Sequence, residues 1–455
     1  MNMGSRDFIK LMAMAALLLA SEGSFAQTET VEKNNQLNIG LNYLTHGEVR
    51  GGGMPEAENS SVNVENQANF LMGRLRLNVN YARPGLEAKA VIQNSAIWGM
   101  KGNQSLNLYE GWVKGSTKGG LFAQVGRVAL AYDDERIIGT NDFAMAALSH
   151  DVLRIGYEGH GHKAHAIFAY NQNPSNVFGG TYYENGAQYY KTMQTLWYHY
   201  DVPKLPLGVS LLFMNIGEQA GFQEGQTGYK DNPEHTEYQQ LFGGYVNFHP
   251  KYLTLEGSYY RQTGTNANEY MLSAPIQAWM AGVKATIKPS EYYGFILGYD
   301  YLSGDDYMPV AQKGTFWMVK HEVPKGFSPV YGSRTKFYGI LDYFYRSAYL
   351  DGFTPGLQNT YAGITCKPFS KLECQVAYHY MATATDLNGL DKTLGHAIEL
   401  EASYRISKDI RFVAAYTQMH GTETMDRLKQ GQGDANARWG WFSLVVSPTL
   451  FKTNW

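Results

Sequence analysis

Hydrophobic and polar residues alternate with a period of two over most of the chain, in segments that end at turn signals. In LMGRLRLNVNY the leucines, Val79 and Tyr81 fall on one face, whereas Arg74, Arg76 and two asparagines fall on the other. Successive side chains of a β-strand point to opposite faces, so this alternation predicts strands with one apolar and one polar face. About eighteen such segments of roughly ten residues follow one another without a domain boundary. Their predicted starts lie near Leu37, Asn69, Leu86, Ser105, Leu121, Val152, Ala164, Tyr189, Gly208, Gln240, Leu253, Gln277, Tyr292, Gln358, Leu372, His396, Ile410 and Arg438.

The connections between these segments alternate between short and long. The short ones read ARPG, STKGG, GHGH, VPKLP, HPK, KPSE, KPFS and SKD. The longer ones include Gly51 to Ser61, Asn171 to Ala187, Glu218 to Thr236, Gly304 to Gly356 and Gly421 to Ala435. This order predicts an all-β fold, a transmembrane antiparallel β-barrel of about 18 strands with short periplasmic turns and long extracellular loops. A soluble propeller or sandwich is the alternative, because alternation does not show whether the apolar face meets lipid or a second sheet.

The N-terminal segment predicts export. Arg6 and Lys10 precede an apolar run, Leu11 to Ala20, and the small-residue pattern Ser24-Phe25-Ala26 follows it. This order is typical of a cleaved signal peptide, so we assign residues 1–26 to the signal and residues 27–455 to a single barrel domain. The expected location is the outer membrane of a Gram-negative cell.

Composition excludes some classes of function. The formal net charge of −3 gives no reason to expect a nucleic-acid partner. No apolar run after Ala20 approaches the roughly 18 residues of a membrane-spanning helix. Cys366 and Cys374 fit an oxidising compartment, either as a pair across one hairpin or as two small apolar side chains on an outward face.

No catalytic or metal site is predicted. Ser149, His150 and Asp151 are consecutive, and neighbours in a strand point to opposite faces, so they cannot form a triad. The histidines of GHGHKAH lie in a short turn without a cysteine nearby, so we expect no metal site there. We therefore expect a protein that is not an enzyme and needs no cofactor.

The alternation also predicts which charges line the barrel interior. Early strands supply most of the basic residues, so one wall of the lumen is expected to be positive and to attract anionic solutes. Simple parity places Arg127 on the outer face, unless a bulge at Gly126 turns it inward. The predicted inward cations are Arg74, Arg76, Lys89, Lys114, Arg154, Lys163, Lys284, Arg405, Arg411 and Arg438, and the inward anions are Glu87, Glu110, Glu256, Asp300, Glu373, Glu399 and Glu401.

Three stretches carry a family resemblance. GRVALAYDDERIIGTNDF followed by HDVLRI, the preceding NLYEGWVK, and the later FSPVYGSRTKFYGILDYF resemble the alginate export family of outer-membrane barrels. The resemblance implies a barrel whose lumen is narrowed by inward loops and lined by arginine. On that basis Arg127, Arg136 and Arg154 are candidate pore residues, with Asp133 and Asp134 as ion-pair partners. Arg74 and Arg76 join the candidates through their place on the inner face.

The sequence thus predicts a passive outer-membrane channel for small hydrophilic, preferentially anionic, solutes. Its expected partners are outer-membrane lipid and these solutes, and the oligomeric state is open. The connection from Gly304 to Gly356 is the best candidate for a loop that folds in and sets the pore radius. Two alternatives stay open: an occluded barrel that serves in a larger complex, and a hydrolase at the barrel rim using Ser149, His150 or Asp133.

Overall fold

The computed structural model describes residues 35–52, 67–99, 104–172, 190–219, 236–268, 271–305, 325–339, 354–387, 389–429 and 436–455. Nearly all regular structure in these ranges is β-strand. The strands are β1 (Gln36–Gly52), β2 (Gln67–Arg83), β3 (Leu86–Ile97), β4 (Gln104–Ser116), β5 (Leu121–Val128), β6 (His150–Gly159), β7 (His162–Tyr170), β8 (Thr192–Asp201), β9 (Leu207–Gln219), β10 (Thr236–Phe248), β11 (Leu253–Asn268), β12 (Met271–Pro275), β13 (Ala278–Ile287), β14 (Tyr293–Leu302), β15 (Leu357–Phe369), β16 (Leu372–Ala382), β17 (Thr393–Arg405), β18 (Ile410–Gly421), β19 (Asn436–Val446) and β20 (Thr449–Asn454). A short α-helix, α1 (Glu423–Leu428), follows β18, and Arg334–Lys336 form a 3₁₀-helix. No helix of the described ranges is long and apolar enough to cross a membrane.

The strands close into an 18-stranded antiparallel barrel, as the sequence predicts. Each strand pairs with the next one along the chain, and β19 pairs with β1 from Tyr43↔Val446 to Gly52↔Ala437. β12 is an extra strand that pairs only with the end of β11, so that β13 is the next strand of the barrel. β20 resumes the last strand after Pro448 and pairs with the start of β1. The sequence-based prediction missed β12 and this resumption.

The predicted strand positions agree with the observed ones. The largest displacement is at β10, which begins at Thr236 where Gln240 was predicted. The start predicted near Tyr189 lies outside the described residues, and the strand is observed from Thr192. All short connections lie at one end of the barrel, called here the short-turn end, and the long ones lie at the opposite, long-loop end. In the turn between β6 and β7, His160 and Gly161 both have positive φ, as a tight hairpin turn requires.

The outer face of the barrel is apolar and exposed. Residues that pair across neighbouring strands share a face, so the register assigns every side chain to the outside or to the lumen. A continuous exposed apolar surface of this kind is typical of a barrel that contacts lipid, where closure leaves no backbone group unpaired. Exposed outward side chains include Leu75, Leu121, Leu196, Leu211, Val283, Leu297, Ile364, Val376 and Leu400.

The register places the predicted inward charges inside, with one exception. Arg438 pairs with Gly51 and Gln418 on the outer face, so its prediction as a lumen residue is wrong. The inward positions of β19 belong to Trp439 and Trp441, both of which are buried. The prediction failed there because it took the apolar face of every strand as the outer one.

The long-loop half of the lumen contains a hydrophobic core. Met193, Met214 and Met280 point inward and are fully buried, and they belong to one cluster with Leu130 and Ile138 of the connection between β5 and β6. The sequence predicts a lumen lined by charged residues, whereas the described residues in this half pack as a protein interior does. We call this cluster the lumen core.

The two faces of β14 provide a test of the barrel in lipid. Leu297 is exposed on the outer face at mid-strand, and its neighbour Ile296 lines a cavity in the lumen. We expect Leu297→Arg to lower the free energy of unfolding in lipid vesicles by roughly 2–4 kcal/mol, because it places a charge in hydrocarbon. The matched variant Ile296→Arg should cost much less, since its charge meets water. Equal losses in urea titrations of the two variants would contradict the assigned faces.

Candidate functional site: the lumen loop

The connection between β5 and β6, residues 129–149, folds into the barrel and is called here the lumen loop. β5 is the shortest of the barrel strands in the described ranges, so the chain leaves the wall early and turns inward. The amide of Glu135 donates to the carbonyl of Tyr132 over 2.8 Å, and the amide of Tyr132 donates to the carbonyl of Ile138 over 3.1 Å. Asp133 and Glu135 have positive φ values of 53° and 67°, which fold this turn tightly.

A second segment, residues 325–339, packs against the lumen loop and is called here the late segment. It belongs to the connection predicted to fold in, of which residues 306–324 and 340–353 lie outside the described ranges. The amide of Gly139 donates to the carbonyl of Tyr331 over 2.9 Å, and the amide of Tyr331 donates to the carbonyl of Ile137 over 3.1 Å. The two segments therefore join through backbone hydrogen bonds.

Glu135 of the lumen loop connects it to the late segment. Its carboxylate accepts from Ser333 Oγ at 2.7 Å, from the amide of Thr140 at 3.1 Å, and from Lys336 Nζ. Burial alone would raise the pKa of Glu135, but the hydrogen bonds from Lys336 and Ser333 outweigh it and lower the pKa. The ionised carboxylate is thus the form that holds the two segments together.

Arg136 ties the lumen loop to the barrel wall. Its Nη1 lies 2.8 Å from Asp300 Oδ1 of β14 and donates to Tyr338 Oη over 3.2 Å, and its Nε lies 3.1 Å from Asp134 Oδ2. The ring of Phe337 covers the guanidinium at 4.2 Å. Burial would lower the pKa of Arg136, but Asp300, Tyr338 and Asp134 outweigh it and raise the pKa. With 5% of its side chain exposed, Arg136 is a fixed anchor and has little surface for a passing solute.

Asp133 and Asp134 have separate partners. Asp134 pairs with Arg136, as the resemblance implies. Asp133 instead accepts from Trp197 Nε1 of β8 at 3.1 Å. Burial raises the pKa of Asp133. The two adjacent acids thus join the loop turn to different parts of the structure.

Arg74 and Arg76 hold the other end of the lumen loop. Arg74 Nη1 donates to the carbonyls of Asp142 at 2.9 Å and Ala144 at 3.0 Å. Arg76 Nη1 donates to Asp142 Oδ1 at 2.5 Å, while its guanidinium lies 3.8 Å from the centre of the Tyr109 ring. The loop is therefore fixed to β2 at one end and to β14 at the other.

Of the other two candidate arginines, one lies inside and one outside. Arg154 is on the inner face and donates to Tyr132 Oη over 3.2 Å. Arg127 pairs with Asp151 on the outer face at 2.6 Å, and the register through Gly126 is regular. The bulge that would turn Arg127 inward is absent, so the structure does not support its place in the pore.

The cavity beside the lumen loop has a volume of about 440 Å³ and an acidic lining. Its basic residues are Arg136, Lys284 and Lys336, and its acidic residues are Asp133, Asp134, Glu135, Glu256, Asp300, Glu399 and Glu401. The basic residues of the early strands lie elsewhere and have acidic neighbours, with Lys89 at 2.6 Å from Glu110 and Lys114 at 3.7 Å from Glu87. The positive wall predicted from side-chain counts is thus largely compensated.

One buried trio resembles a catalytic triad in its distances. His46 lies 2.7 Å from Ser443 Oγ and 3.0 Å from Glu48 Oε1. All three side chains are buried, Glu48 also accepts from Trp439 at 2.8 Å, and the ring of Phe143 packs edge-on against His46 at 4.9 Å. Within the described residues these rings cover the buried trio, so we assign it to packing. The consecutive residues Ser149, His150 and Asp151 form no triad, because Asp151 points outward and His150 inward.

Sequence reasoning missed the partners that position the arginines. Asp142 and Asp300 lie far along the chain from the arginines they meet, and Tyr338 is in a segment without strand periodicity. The alternation of side chains along β14 placed Asp300 on the inner face. Its contact with Arg136 depends on the path of the lumen loop, which the alternation does not predict. Asp142 carried no signal beyond its place in the charged stretch after β5.

Comparison with known proteins identifies the fold of this chain but assigns it to no family. No family model matches the chain, and no curated protein matches it. Among solved structures, Acinetobacter baumannii OccAB1 matches with a TM-score of 0.61 and 10% identity, covering 91% of this chain and 97% of that chain. Pseudomonas aeruginosa OpdL matches with a TM-score of 0.59 and 12% identity, covering 91% and 99%. Pseudomonas aeruginosa OccK2 (OpdF) in complex with glucuronate matches with a TM-score of 0.59 and 11% identity, covering 91% and 98%.

At such identities the likeness shows the fold alone. These structures are Occ and Opd outer-membrane porins and not alginate export proteins. The family inferred from the three sequence stretches is therefore not supported, whereas the porin-type barrel is.

The Arg136–Asp300 pair should behave as a buried ion pair. We expect Arg136→Ala to lower the free energy of unfolding by about 3–5 kcal/mol, because it leaves the buried Asp300 carboxylate without its cation. The double variant Arg136→Met/Asp300→Asn should lose less than the two single variants together. As a control, Arg127→Ala breaks an exposed pair and should cost no more than about 1 kcal/mol in the same urea titration. Similar losses for Arg136→Ala and Arg127→Ala would contradict the anchoring role.

Glu135 gives the loop junction a pH dependence. Its pKa is depressed in the folded state, so its stabilisation is present above the ordinary value of 4.5 and is lost as the pH falls through the folded pKa. We expect the wild-type free energy of unfolding to decrease over that range and the Glu135→Gln variant to show a flatter dependence. Urea titrations at a series of pH values measure both, and parallel curves would refute the assignment.

Proposed function

We propose that the protein is a passive channel of a Gram-negative outer membrane for small hydrophilic solutes, including anionic ones. The observation that carries the proposal is a closed 18-stranded barrel with an apolar outer face, whose lumen is narrowed by a loop fixed to two walls. A barrel of this strand number is wide enough for an aqueous path. The matching structure of OccK2 with glucuronate supports the anionic class of solute.

The proposed orientation follows the lengths of the connections. Short turns face the periplasm and long loops face the exterior in barrels of this kind. Residues 1–26 act in this proposal as the export signal and residues 27–455 as the single barrel domain.

The proposed constriction consists of the lumen loop, the late segment and the wall residues that hold them. Arg74, Arg76 and Arg136 set the position of the loop, and Arg154 orients Tyr132 at its base. Asp133 and Asp134 fix the tight turn beside the cavity. In this arrangement the main role of the charged residues is to fix the shape of the pore. Only charges that lack a partner of opposite sign act on passing solutes.

A second candidate function is an occluded barrel that serves as a partner in a membrane complex. The lumen core favours it, because apolar side chains of several strands pack on the lumen loop in the long-loop half. This candidate predicts a barrel of the same stability that passes no ions. A hydrolase has no support in the described residues, since the trio around His46 is buried beneath aromatic rings.

Reconstitution in a planar bilayer under a salt gradient tests the proposal. We expect discrete conductance steps, and a reversal potential that shifts towards anion preference in a Glu399→Gln/Glu401→Gln variant, because two carboxylates of the cavity lose their charge. The matched control Arg438→Gln changes a charge on the outer face and should leave the reversal potential unchanged. Absence of conductance in protein that is correctly folded would reject the channel and favour the occluded barrel.

A further inference from the structure

We propose that His396 of β17 and His420 of β18 form a binding site for a divalent transition metal ion, with Zn²⁺ as the best fit. The two histidines are direct partners in the ladder of these strands, and both are exposed. They lie on the outer face of the barrel at its long-loop end. The site is outside the lumen and does not depend on the proposed channel.

The position of the pair makes both imidazole rings accessible from water. His396 alternates with Ile398, which is exposed on the outer face. The ladder of β17 and β18 ends one step further on, with the partners Gly395 and Gly421. A hydrated cation therefore reaches the pair from the loop side without crossing the apolar band of the barrel.

The separation of the two rings matches a chelate. Their centroids lie 5.2 Å apart, and their planes are inclined at 38°. A tetrahedral metal ion that binds one nitrogen of each ring at about 2.1 Å holds the centroids roughly 5.2 Å apart. The two side chains thus need no backbone movement to share one ion.

His420 has its other ring nitrogen fixed by a neighbour. Its Nδ1 donates to Asn436 Oδ1 of β19 over 3.2 Å. With the proton on Nδ1, the lone pair of Nε2 is free to bind a metal ion. Histidines that bind metals usually donate their second N–H to an oxygen in this way, which fixes the orientation of the ring.

His396 offers both of its ring nitrogens. Neither has a hydrogen-bond partner among the residues that the structure describes. Its ring stacks on that of Tyr378, with the centroids 5.9 Å apart and the planes at 29°. The tyrosine therefore supports the ring of His396 without competing for its lone pair.

The ligand type and the geometry select the metal. Imidazole nitrogen suits Zn²⁺, Cu²⁺ and Ni²⁺, whereas Mg²⁺ and Ca²⁺ prefer oxygen ligands. The right angle of a square-planar Cu²⁺ site would bring the centroids to roughly 4.5 Å, so the observed distance favours tetrahedral Zn²⁺. Within the described ranges no three or more His, Cys, Asp or Glu side chains form a metal-binding group, so water completes the coordination here.

The cation on the same face of β19 leaves the site open. Arg438 is two residues from Asn436, and its side chain lies against Gly51 of β1. It therefore extends to the side of β19 that faces away from β18. Its charge is directed away from the two imidazoles.

A bound ion would clamp the end of the ladder. Immediately after His420 the chain leaves the barrel wall, and the amide of Thr422 donates to the carbonyl of Leu394 over 3.0 Å. α1 begins at the next residue, Glu423. Because the ion binds only the paired strands, it stabilises this exit of the chain from the wall.

Zn²⁺ titration calorimetry of the full chain in detergent, prepared without a polyhistidine tag, tests the site. We expect one ion to bind at this pair, and His396→Asn and His420→Asn each to weaken its binding by about tenfold or more, since the second ligand binds intramolecularly. The double variant should bind no more weakly than either single variant, because losing one ligand already breaks the chelate. Mg²⁺ should not compete.

A matched control separates the chelate from binding by single histidines. His249→Asn changes an exposed histidine at the short-turn end and should leave the affinity of this ion unchanged. Unchanged affinity in either single variant, or losses that add up in the double variant, overturns the inference. All of these substitutions are at exposed positions, and circular dichroism verifies that each variant is folded.

Hydrogen exchange provides a second readout that reports the place of binding. At a free Zn²⁺ concentration ten times the dissociation constant, exchange of the Thr422 amide should slow about tenfold, because the ion holds the ladder closed. His420→Asn should show no slowing under the same conditions. Equal slowing in the variant would place the ion elsewhere and refute the site.

Discussion

The Arg136–Asp300 ion pair inside the lumen is the constraint on which the rest of the interior depends. A guanidinium buried this deeply is stable only with its acids in place, and those acids lie on the turn of the lumen loop and on β14. The pair therefore fixes where the loop crosses the barrel. The late segment can pack on the loop because the loop already has that position, and its Phe337 and Tyr338 complete the enclosure of the same guanidinium. The cavity beside the loop takes its shape from these contacts.

The barrel could be predicted from the sequence because every strand of a membrane barrel shows the same residue pattern. A period of two, short turns and long loops repeat along the whole chain, and the strand count and most inward charges follow from them. The exceptions have local causes. Pro448 hides the resumption of the last strand as β20, and β12 belongs to a hairpin beyond the barrel wall. Arg438 was misplaced because tryptophans, which look like lipid-facing residues, point inward in β19.

The site was less predictable, because ion pairs between distant segments leave no local pattern. The stretch after β5 drew attention through its density of charges, and the predicted pairing of Asp134 with Arg136 is observed. The contacts of Arg136 with Asp300 and of Arg76 with Asp142 depend on the path of a loop without periodicity. For Arg127 the error in the prediction was local and did not involve a distant segment. Its strand parity was right, and the hypothesis of a bulge, drawn from a glycine, was wrong.

Methionines give the lumen core a property that its buried area does not describe. Met193, Met214 and Met280 are unbranched and flexible, and such side chains refill irregular space more readily than leucine or isoleucine. Branched residues of the same cluster, such as Ile167, Ile216 and Leu241, hold the loop in one arrangement, since any shift would open voids around them. The methionines beside them can refill such voids by changing rotamer. The lumen core therefore combines residues that fix the loop with residues that tolerate small displacements of it.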